Sequence, residues 1–150
     1  MDKLGERTIY VDCDVLEADG GTRTASVTAG WIALALAAHK LYGHGLLSGP
    51  VLCDQIGSIS VGHVDGAYAL DLCYAEDSTA RVDMNVVATA AGAIVEVQGT
   101  AEGRAVPRAD IDAMMDLALE GIASLANIQT STLEGAGVKL DRILKAPARR

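Results

Sequence analysis

A chain of 150 residues that is 50% hydrophobic and 21% charged is long enough for one domain with a core and too apolar for a disordered segment. No apolar run approaches the roughly 20 residues that cross a bilayer, and MDKLGERTIYVD has no apolar signal-peptide stretch, so the sequence predicts a cytoplasmic protein without membrane contact. The net charge of −8 divides into +4 over residues 136–150 and −12 over residues 1–135, a poor balance for a body that must hold nucleic acid unaided.

In chain order, the first predicted element is TIYVDCDVL, residues 8–16. Ile9, Val11, Cys13 and Val15 alternate with Tyr10, Asp12 and Asp14, the period of a half-buried strand. Gly20-Gly21 ends it. From Thr22 to about Tyr42, residues Val27, Trp31, Leu34, Ala38 and Leu41 fall on one helix face, with Thr22 as candidate N-cap and Gly43 and Gly45 as the stop. SISVGHVDG and AYALDLCYAED follow as strands joined at Asp65-Gly66, a strong two-residue hairpin signal. MNVVAT and AIVEVQGT form a second pair around Ala90-Ala91-Gly92. Pro107 opens a last helix with the stripe Ile111, Met115, Ala118, Ile122 and Leu125, which fades near Gly135. The order predicts an α+β fold, a mostly antiparallel sheet with two long helices on one face. Residues 1–135 read as the domain and 136–150 as a basic tail, flexible or loosely docked. Cys13, Cys53 and Cys73 have no metal-ligand spacing and read as reduced core residues.

Two clusters carry chemistry. In DVLEADGGTRTASVTAG, glycines run into a helix whose first N–H groups and dipole attract an anion. Gly21 permits close backbone approach, Thr22 and Thr24 add hydroxyls, and Arg23 adds a guanidinium fork suited to phosphate. A strand-to-helix turn with a threonine cap and a solvated arginine uses the same residues. In DLCYAEDSTARVDMN, Asp77 stands where one strand ends and Asp83 where the next begins, so a short excursion can bring the carboxylates together. Paired carboxylates repel unless a cation or proton lies between them, and Mg²⁺ is the natural oxygen-liganded cation for phosphoryl chemistry. Asp71 and Glu76 lie nearby, and on strand alternation Asp71 shares the parity of Asp77. Ordinary loop acids facing water are the alternative.

The segments DCDVLEADGGTRTASVTAG, AEDSTARVDMNVVAT and IVEVQGTAEG, in this order and spacing, resemble the bacterial ribonuclease PH family from about Thr8 to Glu134, over the second half of the family's usual length. The resemblance implies a fold like ribosomal protein S5 domain 2. It implies a phosphate-dependent 3′–5′ exoribonuclease, or tRNA nucleotidyltransferase, that trims the 3′ end of precursor tRNA and releases nucleoside diphosphates. Carried over by residue, it implies a phosphate site at Gly21, Thr22 and Arg23, and catalytic, Mg²⁺-binding acids at Asp77 and Asp83. It further implies inorganic phosphate as co-substrate and a homo-oligomeric ring of six. A catalytically idle phosphate-binding or assembly module derived from that family is the other reading.

Overall fold

The computed structural model describes residues 3–146. The long helix α1 (Thr22–Gly43) comes first, then the strands β1 (Ile56–Val64) and β2 (Ala67–Leu70), the short helix α2 (Tyr74–Asp77), and the strands β3 (Val82–Thr89) and β4 (Ile94–Ala101). The long helix α3 (Arg108–Gly135) and the short α4 (Leu140–Ile143) close the chain. The strands form one sheet in the order β2-β1-β3-β4, every neighbouring pair antiparallel. The fold is α+β, as the sequence predicts. Asp65 (φ 50°) and Gly66 (φ 85°) both turn left-handed, which sets the register Val64↔Ala67 of the first hairpin.

Period-two alternation divides β1 between the two long helices. Ile59 and Val61 join Val82, Met84, Val86 and Ala88 of β3 in a core against Met114, Ala118 and Ile122 of α3. Gly121 lets α3 approach: a Cβ there would stand 2.8 Å from Leu70 Cδ2 and 3.0 Å from Ile59 Cδ1. Ser58 and Ser60, of opposite parity, meet α1. The Thr28 hydroxyl accepts from Ser58 N (3.0 Å) and donates to Ser58 O (3.1 Å), along the stretch of β1 that β2 leaves uncovered. The helices therefore pack from opposite sides of β1, which corrects the expectation that both cover one face. Periodicity shows that a helix has an apolar face but not which side of a sheet receives it. Buried Gln129 ties the two sides together, donating to Thr28 O (3.1 Å) and Ile56 O (3.0 Å).

A second core gathers Trp31, Ala35 and Ala38 of α1 with Leu47, Leu52, Leu133, Val138 and Ile143. Ile143 O accepts from Val51 N and Leu52 N, both at 2.9 Å, and Lys145 N donates back to Leu52 O at 2.9 Å. The segment 138–145 is thus docked, the second of the two readings of the tail, over those residues. Val138, Ile143 and Leu144 hold it among its charged neighbours. Pro147 and the bases Arg149 and Arg150 lie outside the described residues.

Residues 8–16 belong to no helix and pair with no strand among the described residues. Val11 and Cys13 lie against α1 at Gly30, while Tyr10 is 84% and Leu16 97% exposed. That corrects the predicted strand: a strand needs a neighbour, which local sequence does not supply. The cysteine reading is corrected as well: all three are free, but Cys13 and Cys53 are exposed and Cys73 half-buried.

The α3 packing gives a direct stability expectation. Ile122 is 1% exposed. Ile122→Ala should cost about 2–5 kcal/mol of unfolding free energy, read as a lower urea midpoint at unchanged slope. An unchanged midpoint would mean that this contact adds nothing to the fold.

Candidate active site

Gly21, at φ 67°, is the N-cap of α1, and Thr22 is its first helical residue with no side-chain cap. That corrects the expected Thr22 cap. The left-handed position favours glycine, and the Thr24 hydroxyl returns to Gly21 O at 2.8 Å. The first N–H groups of a helix have no partner within it, so those of Thr22 and Arg23 are available to an anion.

The chain after β2 differs from the sequence reading. The strand stops at Leu70, Asp71 turns left-handed (φ 58°), and Asp77 ends the four-residue helix α2 rather than a strand. Parity between Asp71 and Asp77 therefore has no meaning. Ser60 arranges the reversal: its carbonyl accepts from Asp71 N (2.8 Å) and its hydroxyl from Leu72 N (2.9 Å). Glu76 caps α2 by accepting from Cys73 N at 3.0 Å, a structural task.

The glycine turn sits directly on this segment. A Cβ at Gly20 would collide with Leu72 O and stand 2.8 Å from the Cys73 carbonyl carbon. The Asp19 carboxylate accepts from Tyr74 N at 2.6 Å, at the start of α2. A Cβ at Gly21 would be 3.5 Å from Ser60 Oγ. Residues 19–21 and 71–77, remote in sequence, form one packed unit.

Asp83 lies in β3 between Gly62 and Thr100 and shares a sheet face with Asn85 and Val87, opposite Met84. Burial pushes its carboxyl above the ordinary carboxylate range, and the negative charge of Asp77 pushes it further. The two acids are therefore close enough to repel. On the same face, β4 presents Glu96, Gln98 and Thr100, in register with Val87, Asn85 and Asp83. Arg23 reaches this face from α1: its Nη2 donates to Glu96 Oε1 (2.8 Å) and Oε2 (3.0 Å). Arg23 and Asp83 thus share one side of the sheet, separated by roughly 13 Å of strand from Asp83 to Val87. Sequence reading missed Glu96. It lies 73 residues from Arg23, and no local spacing announces such a pair.

Among the described residues no group of three or more His, Cys, Asp or Glu side chains is arranged to hold a metal. Two repelling carboxylates nonetheless suit Mg²⁺, which commonly takes one or two carboxylates and completes its shell with water and phosphate oxygens.

Residues 54–121, from just before β1 into α3 and including both acids, match the family described as 3′ exoribonuclease family, domain 2. Over most of its length this chain is similar to ribonuclease PH. Over 133 residues it is 55% identical to ribonuclease PH of Moorella thermoacetica (strain ATCC 39073 / JCM 9320), covering 89% of this chain and 53% of that protein. Over 129 residues it is 50% identical to ribonuclease PH of Synechococcus sp. (strain CC9605), covering 86% of this chain and 52% of that protein. The chain spans about half the length of these curated relatives, and it fits the C-terminal half of ribonuclease PH. Rice (Oryza sativa) Rrp46 shares the fold, with a TM-score of 0.58 at 17% identity over 77% of this chain and 49% of that one.

Proposed function

We propose that this chain supplies the phosphate-binding turn and the catalytic acids of a phosphate-dependent 3′–5′ exoribonuclease that trims precursor tRNA. The observation that carries the reading is the packing of the Asp19–Gly21 turn onto the Leu72–Asp77 segment, with Arg23 and Asp83 on one sheet face. The N–H groups of Thr22 and Arg23, with the Arg23 guanidinium, hold inorganic phosphate. A phosphate oxygen attacks the phosphorus of the terminal phosphodiester. The bond to the 3′ oxygen of the preceding nucleotide breaks, that oxygen takes up a proton, and a nucleoside diphosphate leaves. Asp77 and Asp83 would hold Mg²⁺, which when bound supplies charge neutralisation at the phosphoryl oxygens. The protein's own contribution is position and fixed charge, most of what phosphoryl transfer requires.

The −12 of residues 1–135 assigns the holding of RNA to surfaces beyond this chain's own body. The half of the relatives that the chain does not match, and the neighbouring copies of a homo-oligomeric ring in the cytoplasm, are the proposed sources. The same acidity favours an idle phosphate-binding module as the second reading. Release of nucleoside diphosphates from precursor tRNA, given phosphate and Mg²⁺, separates the two.

Arg23→Ala should weaken inorganic phosphate binding about tenfold or more by calorimetry, since it removes the one charged donor assigned to the anion. Equal titrations of variant and wild type would remove the phosphate site from this turn.

A further inference from the structure

Glu96 has no part in the mechanism above, yet it makes the closest polar contact with the residue that matters most for the anion. Both of its carboxylate oxygens converge on one nitrogen of Arg23, Nη2, at 2.8 and 3.0 Å. A guanidinium offers two bidentate edges to an oxyanion, Nη1 with Nη2 and Nε with Nη2. Nη2 belongs to both. Nη2 has one hydrogen for each edge, so a phosphate that takes Arg23 through either fork either displaces the Glu96 carboxylate or sits on the same nitrogen beside its like charge.

Stability does not account for the pair. The side chains are 47% and 39% exposed, and half-exposed ion pairs add little to folding. Arg23 also stands in the first turn of α1, which has no acidic residue and where the helix dipole disfavours a cation. Glu96 projects from β4 on the face that carries Gln98 and Thr100, toward the turn rather than away from it.

We infer that Glu96 is an internal competitor for phosphate: its carboxylate occupies Arg23 in the resting site, and phosphate binding exchanges one oxyanion for the other. The inference rests on the phosphate-site reading proposed above and deepens it, since it makes Glu96 a determinant of phosphate affinity. The exchange forms no covalent bond. The carboxylate leaves Nη2, the phosphate oxygens take its place, and Glu96 is left facing solvent on the β4 face. An empty site then keeps Arg23 neutralised and aligned, and its phosphate affinity is set below what the arginine alone would give.

The test is calorimetric titration of inorganic phosphate into the wild-type chain, Glu96→Gln and Arg23→Ala, with thermal unfolding recorded for each. Glu96→Gln should bind phosphate about fivefold more tightly than wild type, the ceiling a half-exposed ion pair allows. Its thermal midpoint should be unchanged, and Arg23→Ala should lose the binding. Binding by Glu96→Gln alone would also support the competition, as a wild-type site held shut. If Arg23→Ala loses binding while Glu96→Gln binds no better than wild type, the competition is wrong and the phosphate site stands. If all three titrate alike, or none binds, the phosphate site itself is wrong and the competition falls with it.

Discussion

Asp83→Asn should abolish nucleoside diphosphate release from precursor tRNA and, at neutral pH, raise the thermal midpoint of the protein. The two effects have one cause. Burial and the neighbouring Asp77 charge hold the Asp83 carboxyl above its ordinary range, so its ionised form is less comfortable in the folded chain than in the unfolded one. A carboxyl whose folded pKa is raised adds stability below its unfolded pKa. That contribution is lost as pH rises through the folded pKa. At neutral pH, above the ordinary carboxylate range, the fold bears that cost, and an amide at the same place removes it. Below the ordinary carboxylate range the acid is protonated in both states, so wild type and variant should differ least there. Asp77→Asn should move the midpoint in the same direction by relieving the repulsion on Asp83. Mg²⁺ should raise the wild-type midpoint at neutral pH and leave that of the double variant, Asp77→Asn with Asp83→Asn, where it was. Thermal scans across pH, with and without Mg²⁺, read all of this without any activity assay. A wild-type midpoint higher than that of Asp83→Asn at neutral pH, together with full activity of the double variant, would end the reading of these acids as a strained catalytic pair.

How far this site was legible depends on the range over which each signal acts. The Asp65-Gly66 hairpin is local chemistry, and the structure follows it to the register. The α3 stripe is legible for the same reason: Ala118 and Ile122 are buried as the spacing requires. The true contact line also runs through Met114, Gly121 and Gln129, because a sheet receives small and polar residues where its own backbone needs space or donors. Residue type and sequence proximity single out Asp77 and Asp83 as candidates, but not the element that Asp77 ends. The helix α2 is only four residues long and starts at a cap made by Glu76, which in sequence reads as one more acid in a cluster. Glu96 opposite Arg23, the seat of Gly20 on Leu72, and the side of β1 that α1 covers all join residues dozens of positions apart. Periodicity and turn chemistry carry no information at that range. The segment at residues 8–16 is the mirror case, a strand pattern that pairs with no strand among the described residues.

Gly20→Ala is expected to be the most damaging single-methyl change in the chain, although Gly20 has no left-handed backbone to protect. The added carbon would collide with Leu72 O and stand 2.8 Å from the carbonyl carbon of Cys73 and 2.9 Å from that of Leu72. All three are backbone atoms, and none can rotate aside as a side chain can. The turn must lift off α2, which also strains the 2.6 Å bond from Tyr74 N to Asp19. Overpacking of this kind costs about 1–3 kcal/mol. The functional loss should be larger, because a displacement of about 1 Å between reacting groups can cost on the order of 100-fold in rate. Gly43→Ala is the control: a helical glycine with no atom within 4 Å of the new carbon, expected to be neutral or slightly stabilising. Asp19→Ala reaches the same contact without a clash, by deleting the acceptor for Tyr74 N, and should reduce nucleoside diphosphate release while leaving the core intact. Asp19→Asn keeps an oxygen acceptor there and should recover much of the rate. Should Gly20→Ala and Asp19→Ala both retain wild-type release and phosphate affinity, the contact between the turn and α2 would not be what brings the anion and the two acids to a common phosphorus.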